Sequence, residues 1–121
     1  MSTTRIPAAR GPAARGPAVP TGQQLLAFRM QLDEQRRFRL DQLAELRAID
    51  PDNASEVTQV LAVGARAALH EVLAALHRMD TGSYGSCTDC GTALPLERLE
   101  VLPQVGQCLS CRRTADLRSG R

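Results

Sequence analysis

Four cysteines are the residues of this chain best suited to chemistry. They occur as Cys87-x-x-Cys90 and Cys108-x-x-Cys111, two matched pairs with 17 residues between them. Two residues between cysteines let one tight turn place both sulfurs on one ion, and Gly91 gives the first turn backbone freedom. Thiolates are good ligands of Zn²⁺, which prefers four ligands in a tetrahedron. The spacing predicts one Zn²⁺ ion, and its role is structural because four protein ligands leave no open position.

A pair of disulfides is the alternative use of the same cysteines. Disulfides need an oxidising compartment, and residues 1–20 contain no apolar segment typical of a secretory signal. A redox Cys-x-x-Cys motif would be expected in a βαβ setting, which the sequence pattern lacks. We therefore predict a reduced, cytoplasmic protein. No apolar run approaches the length of a membrane span, so no membrane partner is expected.

Composition limits the size of the hydrophobic core. The chain has 121 residues, 2% aromatic residues and no tryptophan, which favours an elongated helical shape held by a metal. All 15 basic residues are arginines. Three of them lie in residues 1–22, which contain no acidic residue. The rest of the chain has 12 arginines and 13 acidic residues. A Zn²⁺ tetrathiolate adds further negative charge. The folded part is thus acidic, and strong direct binding of DNA is not expected.

Residues 1–22 form a tail of different composition. They are rich in Pro, Ala, Gly and Arg, and the pentad Ala-Ala-Arg-Gly-Pro occurs at 8–12 and again at 13–17. Because proline blocks both helix and sheet, we predict a disordered tail. It serves either as an inert leader or as an arm that contacts phosphates or a partner.

Residues 23–82 carry two helical patterns of similar length. In residues 23–49 apolar side chains recur every three or four positions: Leu25, Phe28, Leu32, Leu40, Leu43 and Leu46. The apolar face predicted for the second helix is Val57, Leu61, Ala65, Ala68, Val72, Leu76 and Met79. Pro51 predicts an end of the first helix near Ile49, and Gly82 an end of the second near Thr81. Asn53 and Glu56 have the spacing of a capping box at the start of the second helix.

The predicted fold is mainly α: an antiparallel two-helix coiled-coil hairpin, then a small four-cysteine zinc module with a short C-terminal helix. Two equal apolar helices joined by a short loop favour the hairpin, because each buries its apolar face on the other. The zinc module occupies residues 83–121, with a basic helix at 109–119. The loop 50–53 becomes an exposed acidic tip that carries Asp50 and Asp52. Asp52 at such a place is alternatively a helix cap.

Enzymatic motifs are missing from the sequence. No Ser/His/Asp set and no phosphate-binding glycine loop appears, and no pocket-forming sequence surrounds the two tip carboxylates. We therefore predict no catalytic residues and no enzyme.

The segment around the cysteines resembles a known family. The run from Ala75 to Gly91, the pairs Leu94-Pro95 and Arg98-Leu99, Pro103 and the second cysteine pair together resemble the DksA/TraR family of bacterial transcription regulators. The helical hairpin extends the likeness to residues 24–119.

The resemblance implies a factor that binds RNA polymerase directly and modulates initiation. In the family the hairpin enters the secondary channel of the polymerase, its acidic tip acts near the active site, and the zinc module rests on the channel rim. The family tip is commonly Asp-x-x-Asp-x-Ala. Asp52, Asn53 and Ala54 match its second half, whereas Asp50 lies one residue too close to be the first aspartate.

The resemblance also implies contacts with the rim of the polymerase channel and, in some members, with a small ligand. The candidate rim contacts are Arg98, Arg112 and Arg113. Some members respond to the alarmone ppGpp through basic residues, but this chain has no lysine, so no alarmone site is carried over and ppGpp stays an open partner. A monomer is expected.

Two other functions stay open at this point. One is a zinc-containing nucleic-acid-binding protein that uses the Arg-rich tail and the C-terminal arginines. The other is an antagonist that occupies the polymerase channel without the full activity of the family, which the displaced Asp50 suggests.

Overall fold

The structure, a computed structural model, describes residues 19–119. In chain order its elements are the helices α1 (Gly22–Ile49), α2 (Glu56–Thr81), α3 (Leu96–Val101) and α4 (Leu109–Arg118). One isolated bridge pairs Ser86 with Ala93 in antiparallel fashion. The described part is thus mainly α, as predicted. Residues 1–18 of the predicted tail lie outside the described residues.

The helix α1 begins at a capping box, formed by Thr21 and Gln24, that was not predicted. The backbone N–H of Gln24 donates to Thr21 Oγ1 at 3.1 Å, and the N–H of Thr21 donates to Gln24 Oε1 at 2.8 Å. These reciprocal bonds satisfy two backbone donors that a helix start would otherwise leave unpaired. The helix ends at Ile49, where Pro51 disfavours helical geometry at Asp50.

The helix α2 begins later than predicted, and its cap is a different residue. Ser55, not Asn53, is the N-cap, and its hydroxyl accepts a hydrogen bond from the N–H of Thr58 at 3.4 Å. Asn53 has a φ of +52°, a left-handed backbone conformation that places it outside the helix. The capping box predicted from Asn53 and Glu56 was therefore wrong.

Gly82 ends α2 as predicted. Its φ of +87° is left-handed, a conformation that costs glycine little because it has no Cβ. The N–H groups of Gly82 and Ser83 both donate to the carbonyl of Arg78, the latter at 2.9 Å. The chain thereby leaves the helix sharply and enters the zinc module.

The two long helices pack against each other as a hairpin. At 1.5 Å per residue, α1 and α2 are about 42 Å and 39 Å long. Residues 50–55 join them and form the tip loop; the opposite end, where α1 begins and α2 ends, is the foot. A mainly apolar core lies at the foot, where the hairpin meets the zinc module. Its buried members are Phe28, Leu32, Val72, Ala75, Leu76, Tyr84, Cys87, Leu94, Leu99 and Val105.

The predicted apolar face of α2 holds at the foot and fails toward the tip, and that of α1 holds in part toward the tip. Val57 is 68% exposed and Leu61 47% exposed, while the positions that α2 buries in this half are Thr58, Ala62 and Ala65. Leu40 of α1 is likewise 49% exposed. Apolar residues occupy more than one side of this half of α2, so their spacing alone did not define the buried side. Small side chains form the contact there, and the tip half of the hairpin is slender.

The length and mean hydropathy of α2 would suit a membrane span. Its most apolar stretch of 18 residues has a mean hydropathy of 1.3, and 28% of that stretch is buried in the fold. The expectation that no apolar stretch approaches this length is therefore too strong. Arg66, His70 and Glu71 lie near the middle of α2, where a bilayer would make charged groups costly. The profile also suits a helix that packs against a partner along one side.

Two glycines of α2 provide a matched test of this fold. A Cβ added at Gly64 would meet nothing within 4 Å, so Gly64→Ala should raise the free energy of unfolding by about 0.5–1 kcal/mol through helix propensity. Gly82→Ala should lower it by about 1 kcal/mol, because alanine is strained at a left-handed φ. Urea unfolding of the zinc-loaded protein, followed by circular dichroism, measures both changes. A loss of stability in Gly64→Ala would contradict the open helix face.

Candidate metal centre and hairpin tip

The four cysteine sulfurs converge on one point. Their Sγ atoms all lie within 4.8 Å of one another, and they belong to Cys87, Cys90, Cys108 and Cys111. The Sγ atoms of Cys90 and Cys108 are 3.8 Å apart. Four sulfurs about 2.3 Å from a tetrahedral Zn²⁺ would be separated by about 3.8 Å. The donor type, number and spacing therefore fit one Zn²⁺ with a closed, structural coordination.

The first cysteine pair sits on a tight turn. The N–H of Gly91 donates to the carbonyl of Cys87 at 3.0 Å, and Gly91 has a φ of +79°, which fits the glycine expected there. The N–H of Cys87 donates to the carbonyl of Thr92 at 2.8 Å. The turn thus aims two sulfurs at the same side of the chain.

The second cysteine pair sits at the start of α4. Cys108 is the N-cap of this helix, and its sulfur accepts a hydrogen bond from the N–H of Cys111 at 3.3 Å. The N–H of Cys108 in turn donates to the sulfur of Cys87 at 3.3 Å, across the two pairs. A helix N-terminus favours negative charge, so this position suits thiolates.

The surroundings of these cysteines shift their pKa values in different directions. Hydrogen bonds from the N–H groups of Cys108 and Cys90 lower the pKa of Cys87 to about 6. The hydroxyl and N–H of Thr92 lower the pKa of Cys90. Hydrogen bonding with the sulfurs of Cys108 and Cys90 raises the pKa of Cys111. Four thiolates this close repel one another unless a cation joins them, and a divalent ion supplies that charge.

Two arginines hold the segment that leads to the second cysteine pair. Arg98 Nη1 donates to the carbonyl of Gln107 at 2.9 Å, and Arg78 Nη2 lies 3.4 Å from the carbonyls of Gln104 and Val105. Arg78, Arg98 and Arg112 line one cavity of about 330 Å³ between α2 and the zinc module. Sequence reasoning proposed Arg98 as a rim contact and missed its role within the fold.

Tyr84 joins the zinc module to the hairpin. Its hydroxyl donates to the carbonyl of Pro103 at 2.8 Å, and its ring lies 6.0 Å from the ring of Phe28, measured between centroids. Burial raises the pKa of Tyr84 to about 12, against a smaller opposing effect of Arg78. The residue was part of the motif that suggested the family, but its hydrogen bond was not predicted.

The two tip carboxylates have different surroundings. Asp50 Oδ1 accepts from the N–H of Ala54 at 3.1 Å, and Asp50 Oδ2 accepts from the N–H of Ser55 at 2.9 Å. These two bonds lower the pKa of Asp50. Asp52 is exposed, and no hydrogen bond to its carboxylate occurs within residues 19–119. The sequence suggested capping for Asp52, but Ser55 caps α2, and the carboxylate that accepts hydrogen bonds within the loop is that of Asp50.

The predicted site residues thus fall into two groups at opposite ends of the hairpin. The four cysteines lie together at the foot, with Arg98 and Arg112 beside them and Arg113 exposed on α4. Asp50, Asp52, Asn53 and Ala54 lie together in the tip loop. The length of the helices separates the two groups, so they are two sites.

Comparison with known proteins identifies the class of the metal module. Residues 82–116 match the family model described as the prokaryotic dksA/traR C4-type zinc finger. A 53-residue stretch is 32% identical to the "RNA polymerase-binding transcription factor DksA" of Haemophilus influenzae, and covers 44% of this chain. A 54-residue stretch is 35% identical to an uncharacterized protein of Aquifex aeolicus, and covers 45% of this chain. Each match spans 37% of the relative's length. No solved structure matches the chain.

The chain therefore carries a four-cysteine zinc-finger module. This module matches the dksA/traR C4-type zinc-finger model over residues 82–116, which confirms the resemblance for that segment, and its cofactor is one structural Zn²⁺.

Removal of the metal should unfold the foot of the protein. We expect one Zn²⁺ per chain, and we expect Cys90→Ser or a strong chelator to disorder residues 83–111 and loosen the base of the hairpin, because the zinc module supplies much of the core. Elemental analysis gives the stoichiometry, and thermal unfolding gives the loss of stability. Ser110→Ala, an exposed change within the second cysteine pair, is the matched control. Unchanged thermal stability in metal-free protein would contradict a structural role.

Tyr84 should impose a pH dependence on stability. Its pKa is higher in the folded state than the ordinary value of 10.0, so its contribution is fully present below pH 10 and is lost as the pH rises toward about 12. Tyr84→Phe should cost about 1 kcal/mol at neutral pH, through the lost hydrogen bond to Pro103. The difference in unfolding free energy between the two proteins should shrink above pH 10. A difference independent of pH would show that Tyr84 ionises freely in the fold.

Proposed function

We propose that this protein binds RNA polymerase and regulates transcription initiation, with its hairpin inserted in the secondary channel of the enzyme. The observation that carries the proposal is the combination of a DksA/TraR zinc finger with a two-helix hairpin that ends in an exposed acidic loop. The relative from Haemophilus influenzae is named as an RNA polymerase-binding transcription factor. The proposed protein is a cytoplasmic regulator and not an enzyme.

The shape of the hairpin supports insertion into a narrow opening. Two helices about 40 Å long reach far from the zinc module while presenting only a six-residue loop at their end. Small contact residues such as Ala62 and Ala65 keep the tip half slender. In this proposal the zinc module and α4 rest on the rim, with Arg98, Arg112 and Arg113 as candidate contacts.

The tip acts through charge in this proposal. Asp52, followed by Asn53 and Ala54, presents a carboxylate that no described residue neutralises. A negative charge within a few ångströms of basic or metal-bearing groups changes their energies strongly when water is scarce, as inside a channel. Open promoter complexes would be shifted by this contact, some promoters being weakened and others strengthened.

A channel-occupying antagonist is the second candidate. The observation that favours it is the hydrogen bonding of Asp50, which leaves one uncommitted carboxylate at the tip. Such a protein would bind polymerase and reduce the effect of a second DksA-like factor. Both proteins added to one transcription reaction would separate the two candidates, since an antagonist has no effect when added alone.

Asp52→Asn should remove the regulatory effect and keep polymerase binding. The change keeps the size of the side chain and removes its charge, so the effect on transcription from a stable-RNA promoter in vitro should fall to background, while co-purification with polymerase persists through the rim contacts. Asp41→Asn, which makes the same change on the exposed surface of α1, is the matched control and should keep the wild-type effect. Reactions with and without ppGpp test that partner.

Two outcomes would overturn the proposal. If Asp52→Asn regulates as the wild type does, the tip carboxylate is not the acting group. If the protein shifts DNA in a gel at physiological salt without polymerase, and its affinity falls steeply with added salt, it is a nucleic-acid-binding protein that uses its arginines.

A further inference from the structure

The tip loop is held in place by three sets of hydrogen bonds. The N–H of Asp50 donates to the carbonyl of Leu46 at 2.9 Å, which extends the hydrogen bonding of α1 into the loop. The carboxylate of Asp50 accepts from the N–H groups of Ala54 and Ser55, each oxygen taking one donor. The carbonyl of Asp50 accepts from the N–H of Asn53 at 3.0 Å. One residue therefore contacts both ends of the loop.

A second brace comes from α2. Gln59 Nε2 donates to the carbonyl of Asn53 at 2.6 Å. Asn53 has a left-handed φ of +52°, a conformation that asparagine tolerates better than most residues. Asp52 lies between these two braces, and its direction is set by the neighbours on each side of it.

We propose that Asp50 is a positioning residue for Asp52, which is the acting residue of the tip in the proposed function. Both oxygens of the Asp50 carboxylate accept hydrogen bonds within the loop and fix the backbone that precedes α2. Pro51 restricts the backbone conformation between the two aspartates. Asp52 is thereby presented outward at the end of the hairpin. The two aspartates are not an equivalent pair, and the proposal rests on the proposed function of the tip.

The two proposed roles differ in what they require of the side chain: position 50 requires a correctly placed hydrogen-bond acceptor, and position 52 requires a negative charge. A residue that positions the loop needs a hydrogen-bond acceptor at the same place, which asparagine keeps in part and glutamate, one methylene longer, moves. A residue that acts by charge needs the charge, which glutamate keeps and asparagine loses. The order of the Asn and Glu variants at each position therefore distinguishes the two roles.

The experiment compares four variants of the full, zinc-loaded chain in one transcription assay: Asp50→Asn, Asp50→Glu, Asp52→Asn and Asp52→Glu. We expect Asp50→Asn to keep more of the regulatory effect than Asp50→Glu, and Asp52→Glu to keep more than Asp52→Asn. Co-purification with polymerase should be equal in all four. The reverse order at position 50, with Glu more active than Asn, would overturn the assignment of Asp50.

A measurement without polymerase tests the same assignment separately. Hydrogen exchange by NMR at neutral pH should show that the amides of Ala54 and Ser55 lose protection on the order of tenfold in Asp50→Glu and keep it in Asp52→Asn. Unchanged protection in Asp50→Glu would overturn the positioning role even if the tip regulates transcription. If protection is lost in Asp50→Glu but Asp52→Asn regulates transcription as the wild type does, the proposed function is rejected and the role of Asp50 in the loop is kept.

Discussion

The convergence of four sulfurs on one ion is the constraint on which the rest of the fold depends. The first pair follows the end of α2, and the second pair begins α4. Between them the chain must leave and return, and it does so through Leu94 and Leu99, which are 1% and 0% exposed. These residues cover the base of the hairpin. The zinc module and the hairpin therefore share one core, and neither has an extensive core without the other.

The concentration of this core at the foot explains the thin packing elsewhere. A chain with 2% aromatic residues cannot fill a large interior. Of its two phenylalanines, Phe28 is buried at the foot and 4% exposed, whereas Phe38, farther along α1, is 61% exposed. The tip half relies on helix propensity and on small contact residues. A slender hairpin anchored at one end results.

The sequence predicted those features that local chemistry determines. The cysteine spacing indicated the metal, and Pro51 and Gly82 indicated the helix ends, because each of these residues restricts the backbone at its own position. The sequence failed where several residues compete for one role. Asn53, Ser55 and Asp50 all have side chains that can cap a helix, and only the path of the loop decides among them. The short helix α3 was missed because six residues give too little periodicity to detect.

The distance between foot and tip has a consequence for how a charge at the tip can be oriented. The core that orders the zinc module lies at the opposite end of α2, so it cannot fix the direction of a side chain in the tip loop. A loop of six residues must then be ordered by its own hydrogen bonds. Asp50, at the start of the loop, and Gln59 of α2 provide these bonds. Rigidity at the tip is thus a local property, and one of the two acids supplies it while the other stays exposed.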